Sequence, residues 1–312
     1  MKLTSHDKVQ FVEIAEDAEG QRLDNFLFTL LKGVPKGHIY NIIRRGEVRI
    51  NKGRAKNLTR IQLGDSIRIP PVKLNEKISG PPSKSVLSLL ESRIVHEDDD
   101  LLVLNKPSGM AVHGGTGHQH GVIDALRALR GDDMYLELVH RLDKATSGCL
   151  LVSKNRKMLN ALQTLLRNRR VNKTYTALLC GTLHKKIVCV NAPLEKSTLE
   201  SGEHRVRVHP NGKPSETTFK QIKKFKNSTL VSASPKTGRT HQIRVHAKHL
   251  NYPIAGDERY SSKLQLKQYK EQGLKRLFLH ASKISFKHPI SDQRVSFEAP
   301  LDLELESFLK EI

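Results

Sequence analysis

Tryptophan is absent from this chain, cysteine occurs three times, and acidic residues are scarce: 32 Asp and Glu stand against 53 Lys and Arg. Each shortage excludes something. Cys149, Cys180 and Cys189 are odd in number, lie in apolar strand-like runs and show no Cys-x-x-Cys spacing. They are expected to be buried, inert thiols in a reducing compartment rather than a disulfide framework or a zinc site. The run Met1-Lys2-Leu3-Thr4-Ser5-His6-Asp7 lacks the apolar stretch of a secretory signal, which points to the cytoplasm. No apolar span or amphipathic anchor accompanies the formal charge of +21. The expected polyanionic partner is therefore nucleic acid rather than a membrane. No phosphate-cradling glycine-rich loop follows a strand, and no internal repeat is present.

What is there suggests two domains. Leu23, Phe26, Leu27, Leu30 and Leu31 recur at helical spacing, and a second short helix from Lys36 ends at Gly46. Val48 and Ile50 alternate into a strand, Asn51-Lys52-Gly53 is a turn, and Ile67-Arg68-Ile69 is a further strand. Residues 21–70 hold eleven Lys or Arg against three Asp or Glu. Lys36, Arg44, Arg45, Arg49, Lys52, Arg54 and Lys56 crowd the second helix and the turn after it. A solvated charged face would account for some of this, but one-sided clustering is what phosphate contacts need. The stretch resembles an S4 domain, a small RNA-binding module, placed here at 21–75 behind an N-terminal segment at 1–20. Prolines, glycine and lysines mark a linker at 76–90.

From 91 to 312, short strands outnumber helices. Strands are predicted at 93–96, 101–105, 149–153, 174–180, 205–209, 217–222, 229–233 and 277–286, and helices at 122–129 and 157–166. Asp98-Asp99-Asp100 reads as a solvated turn, and Asn211-Gly212 as a hairpin. The pattern is α+β: a mixed, largely antiparallel central sheet preceded by a small α/β domain.

Three polar runs could carry chemistry. In His140-Arg141-Leu142-Asp143-Lys144-Ala145-Thr146-Ser147-Gly148 a carboxylate stands at a strand end, where it could equally cap backbone amides. Strand alternation would put Arg141 and Asp143 on one side. Lys173-Thr174-Tyr175-Thr176-Ala177-Leu178 offers one aromatic, either a platform for a base or a half-buried core ring. Thr237-Gly238-Arg239-Thr240-His241-Gln242-Ile243-Arg244-Val245-His246 mixes more donor types than a solvated face needs. His241, His246 and His249 lack the i, i+4 spacing of a metal helix, and His118-Gln119-His120 lacks carboxylates nearby, so no metal is expected. Ser147 has no Gly-x-Ser-x-Gly setting, which argues against a serine hydrolase.

Together these runs resemble the RluA-type pseudouridine synthases. To the three above the resemblance adds Asn105-Lys106-Pro107-Ser108-Gly109 and Leu277-Phe278-Leu279-His280-Ala281, and it runs from about residue 21 to the end. Ala145 departs from the acidic or amide residue many relatives carry there. The resemblance implies a reaction that turns uridine into pseudouridine without cofactor or metal. Asp143 would be the nucleophile, Arg244 its ion partner and Tyr175 the ring beneath the uracil. Arg141 would fill the stack vacated by the flipped base, with His140, Lys106, Leu277 and Leu279 also on the substrate. Lys36, Arg44, Arg45, Lys52 and Arg54 would grip RNA through the S4 domain, and Lys154, Arg156, Lys157, Arg167, Arg169 and Arg170 would add phosphate contacts. It further implies 23S ribosomal RNA as substrate and a monomeric enzyme.

Other readings are a non-catalytic RNA-binding ribosome-assembly factor, a synthase for transfer RNA, and a carboxylate glycosidase. The first predicts a broken Asp/Tyr/Arg set, and the last needs a second acidic residue in these runs. A small heat-shock-type S4 protein would lack the ~220 further residues, a size typical of a second domain.

Overall fold

The computed structural model describes residues 8–31, 34, 36–72, 81–114, 120–131, 134–198 and 204–312. Among the residues singled out above, Met1–Asp7, His118 and Gln119 lie outside this set, as do 76–80 of the expected linker. The chain divides into two compact units, Met1–Gly80 and Pro81–Ile312.

In the small unit β1 (Gln10–Glu13) precedes α1 (Leu23–Leu30) and α2 (Lys36–Arg44), and then come β2 (Arg49–Ile50), β3 (Gly53–Arg54) and β4 (Ser66–Ile69). The strands form an antiparallel sheet in the order β1-β4-β2-β3. Val12, Ile67 and Ile69 alternate inward from it and pack with Leu23, Leu27, Ile39 and Ile43 of the helices. The described part of the 1–20 segment is thus not separate from the small domain, because β1 supplies an edge strand to its sheet.

The large unit opens with α3 (Lys84–Glu91), β5 (Ile94–Glu97), β6 (Leu101–Lys106), α4 (Val122–Arg130), β7 (Glu137–Leu138) and β8 (Ser147–Ser153). There follow α5 (Arg156–Arg167), β9 (Asn172–Cys180), β10 (Ile187–Asn191), β11 (Leu194–Thr198), β12 (His204–Val208), β13 (Glu216–Lys224) and β14 (Ser228–Pro235). Last come α6 (Gln242–His249), α7 (Lys263–Glu271), β15 (Leu279–Lys287), β16 (Arg294–Glu298) and α8 (Leu303–Glu311). The main sheet runs β10-β13-β14-β9-β15-β8-β6-β5, with β16 added to β15 and β7 to β8. Its pairings are antiparallel except that of β15 with β8. This is the mixed, largely antiparallel α+β fold.

Period-two patterning places the helices. In β6, Leu102 and Leu104 face α3 and α4, while Leu101 and Val103 face α5. β8 repeats this with Leu150 and Val152 on one side and Cys149 and Leu151 on the other. α5 buries Met158, Leu159 and Leu162 at helical spacing, each such side chain contributing about 1.5–3 kcal/mol. Asn155 caps it by accepting the Met158 N–H.

Three expectations need correcting. α3 occupies the second half of the predicted linker, because Ser83 accepts the Val86 N–H and Leu90 is buried. Asn211 and Gly212 do turn the chain, but the strand entering them, β12, pairs with β11 while β13 lies between β10 and β14. Cys149 and Cys180 are buried, whereas Cys189 is exposed beside Glu216.

Candidate active site

Asp143 stands in the turn between β7 and β8, and backbone and side-chain donors hold the turn from behind. Its own carbonyl accepts the Thr146 N–H at 3.1 Å. The 105–109 loop grips the next two carbonyls. Gly109 N–H donates to Lys144 at 2.9 Å, and Ser108 Oγ donates to Ala145 at 2.8 Å. Lys106 Nζ reaches the Lys144 carbonyl at 3.2 Å and those of Pro107 and Met110 at 2.8 Å. Lys106 is fully buried and does not line the cleft, so the structure gives it no substrate to touch. Burial pushes its ammonium down to about 7, with Arg276 adding to the effect and Asp143 opposing it.

Ahead of Asp143 the chain bends at Val139 and His140 and is not strand, yet the alternation survives. Leu142 is buried at 5% exposure, while Arg141 and Asp143 both line a cleft of about 390 Å³. His140 also reaches the cleft, but its Nε2 accepts the Leu151 N–H at 3.2 Å. Burial, reinforced by Lys173, lowers its pKa to about 3, so it is a neutral brace between turn and strand. Its predicted part in substrate binding would be played from this fixed place in the wall.

Opposite this turn stands α6. Arg244 is buried, and its Nε and Nη2 donate to the two oxygens of Asp257, each at 2.7 Å. Asp257 is fully buried and also accepts the Arg259 N–H at 3.0 Å. The Tyr260 ring lies 5.1 Å from the guanidinium carbon. So oriented, Arg244 aims Nη1 at Asp143 Oδ2, 3.6 Å away. His241 Nε2 approaches the same oxygen at 3.7 Å. The expected pairing of Arg244 with Asp143 is present as a loose contact, and the tight partner is Asp257. Gln242 anchors the start of the helix by donating to the Glu216 carbonyl and accepting from Thr237 Oγ1 and Arg239 N–H. His246 is fully buried among Ser215, Thr217 and the Ala192 carbonyl, which accounts for it without a metal.

Tyr175 on β9 and Leu279 on β15 complete the cleft. The parallel contact of β15 with β8 requires glycine at 148, where φ is +109° and a Cβ would stand 2.3 Å from the Ala281 carbonyl oxygen. Burial raises the Tyr175 phenol, and the Asp143 charge adds to this, so the ring keeps its proton near neutral pH. Leu277 packs with Phe278 in the core at 3% exposure and does not line the cleft. Among the described residues lining it, Asp143 is the single carboxylate, against Arg141, Arg167, Lys173, Arg239 and Arg244.

Comparison with known proteins identifies the family. The family described as RNA pseudouridylate synthase matches residues 100–249, and the S4 domain matches 21–67. Ribosomal large subunit pseudouridine synthase C of Haemophilus influenzae is 50% identical over 309 residues, covering 98% of this chain and 96% of that protein. The protein of the same name from Vibrio cholerae is 51% identical, with 97% and 96% covered. This chain belongs to the RNA pseudouridylate synthase family. A solved structure, human RNA Pseudouridylate Synthase Domain Containing 4, superposes with a TM-score of 0.61 at 28% identity, covering 73% of this chain and 95% of that one.

The S4 part of this synthase carries its cations openly. Lys36, Arg44, Arg45, Lys52 and Arg54 are all exposed. Phe11, Arg68, Arg49 and Arg54 form one cross-strand row over the sheet. From it Arg49 donates to the Gly46 carbonyl, Arg54 to that of Arg45 and Arg68 to that of Glu47. In the large unit Lys154 is not free for phosphate, because it pairs with Glu97 at 3.1 Å and is 15% exposed.

Sequence reasoning missed Asp257 and Tyr260. Their signal was faint, a lone Gly256-Asp257 pair after Pro253-Ile254-Ala255, and nothing local ties them to Arg244. His241 stands in the polar run that the sequence marks for chemistry, but nothing in that run singles it out from its neighbours.

Proposed function

We propose that this chain isomerises uridines of large-subunit (23S) ribosomal RNA to pseudouridine, with Asp143 as nucleophile on a flipped-out nucleotide. The observation that carries this reading is one carboxylate in a cleft whose other charged side chains are basic, supported from behind by a hydrogen-bonded turn. Carboxylates are the usual nucleophiles at glycosidic carbons. The reaction breaks N1–C1′, turns the uracil and rejoins it through C5, with neither gain nor loss of electrons. Nothing in it calls for a cofactor.

Tyr175 serves as a stacking platform, since a phenol that keeps its proton is a poor base. Leu279 packs against the base edge. Arg141, exposed beside Asp143, fills the vacated stack. Extruding the uridine costs a few kcal/mol, offset by phosphate contacts to Arg167, Lys173 and Arg239 at the cleft and to Lys36, Arg44, Arg45, Lys52 and Arg54 of the S4 domain. In this reading the chain acts as a monomer in the cytoplasm.

The test is tritium release from 5-tritiated uridine in unmodified large-subunit RNA and in transfer RNA. Wild type should release tritium from the ribosomal substrate, and Asp143→Asn should release none. Release by the variant at the wild-type rate would remove Asp143 from the mechanism. Release confined to transfer RNA would overturn the substrate.

A further inference from the structure

His241 occupies a position that an ordinary side chain avoids. It is the residue before α6, with φ +53° and ψ 19°, in the left-handed region. That conformation costs a residue with a Cβ about 1–2 kcal/mol, and such strain collects at functional sites. The ring is almost enclosed at 12% exposure. Its Nδ1 lies 2.8 Å from the Tyr260 hydroxyl. That hydroxyl accepts the Val206 N–H at 3.3 Å, and of the two tautomers the one with Nδ1 as acceptor is the one that gives its own proton a partner. With Nδ1 accepting, a neutral imidazole carries its hydrogen on Nε2, the atom that faces Asp143 Oδ2 at 3.7 Å. Burial lowers the affinity of the ring for a second proton. Arg244 and Arg259 reinforce this, while Asp143 and Asp257 oppose it.

Two donors therefore converge on one oxygen of the nucleophile, Arg244 Nη1 at 3.6 Å and His241 Nε2 at 3.7 Å. Both are beyond hydrogen-bond length, and a closure of less than about 1 Å would make both bonds. Such bonds tighten when substrate fills a site. We infer that His241 is a positioning residue that donates Nε2–H to Oδ2 of Asp143 beside Arg244, held in the required tautomer by Tyr260, and so leaves Oδ1 to meet the nucleotide. The inference rests on Asp143 being the nucleophile.

Backbone strain and hydrogen-bond donation rank the substitutions oppositely. Asparagine tolerates the left-handed region well but can place its amide only at the Nδ1 position. Glutamine fits that backbone poorly but carries an N–H where Nε2 was. Single-turnover rates on an unmodified large-subunit RNA fragment are measured for His241→Gln, His241→Asn, His241→Leu, Tyr260→Phe and Asp143→Asn. The temperature is one at which circular dichroism shows each variant folded. His241→Asn and His241→Leu should lose about 10- to 100-fold in the chemical step, the worth of a hydrogen bond to a charged group, with RNA affinity little changed. His241→Gln should recover most of the rate. Tyr260→Phe should lose less, and should add nothing in the His241→Leu background.

Asparagine matching or exceeding glutamine would overturn the donor role, as would equal rates for all His241 variants and wild type. A loss in Tyr260→Phe that multiplies with that of His241→Leu would overturn the relay. Activity surviving in Asp143→Asn would instead sink the nucleophile assignment, so the two failures are distinguishable.

Discussion

Arg49, Arg54 and Arg68 of the small unit and Arg244 of the large one all donate to oxygen, yet the acceptors differ in kind. The first three bond to neutral carbonyls of the 45–47 turn, and Arg49 and Arg54 stand exposed. Arg244 bonds both oxygens of a buried carboxylate. A carbonyl orients a guanidinium but leaves its net charge intact, available to a polyanion at a Debye length of about 8 Å. A carboxylate cancels most of that charge and fixes the group to a fraction of an ångström. These three arginines thus keep their charge for the field, and Arg244 uses its charge for geometry. The formal +21 counts both alike.

The sharpest way to break this contrast is at Asp257. Asp257→Asn leaves Arg244 buried with half its partner, and should cost ~3–5 kcal/mol of stability together with most of the activity. Urea unfolding and single-turnover rates would measure both, and a variant as stable as wild type would mean that Arg244 finds another partner. Next in size is Gly148→Ala, where the positive φ and the Ala281 carbonyl both object. About 2–4 kcal/mol should be lost, read as a lower melting temperature, and a neutral result would show that β15 can draw back from β8.

A smaller effect concerns His140. Its folded value, about 3, lies below the ordinary 6.5, so between the two the unfolded chain binds the proton more readily. The stability it contributes is complete above about 6.5 and is lost as pH falls toward 3. His140→Gln, which keeps an acceptor for Leu151, should flatten that part of the melting profile. An unchanged slope would assign the acid sensitivity to other buried histidines.

The smallest structural effect is expected in the small unit. Arg49→Gln or Arg54→Gln should change stability by no more than ~0.5 kcal/mol while lowering the salt slope of RNA binding by ~0.7–0.9 for each phosphate no longer neutralised. An unaltered slope would put the RNA elsewhere.

Part of the lining of the candidate site was legible in the sequence because chemistry-bearing side chains sit in short local runs. Asp143, Tyr175 and Arg244 stand in three of them, and all three line one cleft. Lys106 and Leu277 stand in equally recognisable runs, yet both turn inward. A run tells which residues are neighbours in sequence, not which way each faces once a loop folds back. Leu277 lies just ahead of β15, in an irregular stretch where alternation offers no guide.

The sequence by itself determined the small basic domain, the core strands and α4 and α5. Hydrophobic periodicity and turn chemistry are local, and they act within a few residues. Only the tertiary structure decided how Asp143 is held. Lys106 closes three carbonyls behind the turn, Asp257 locks Arg244 from thirteen residues away, and Tyr260 turns His241 toward the carboxylate from nineteen. Such pairs form only where burial makes an unpartnered polar group costly, and burial belongs to the folded chain as a whole.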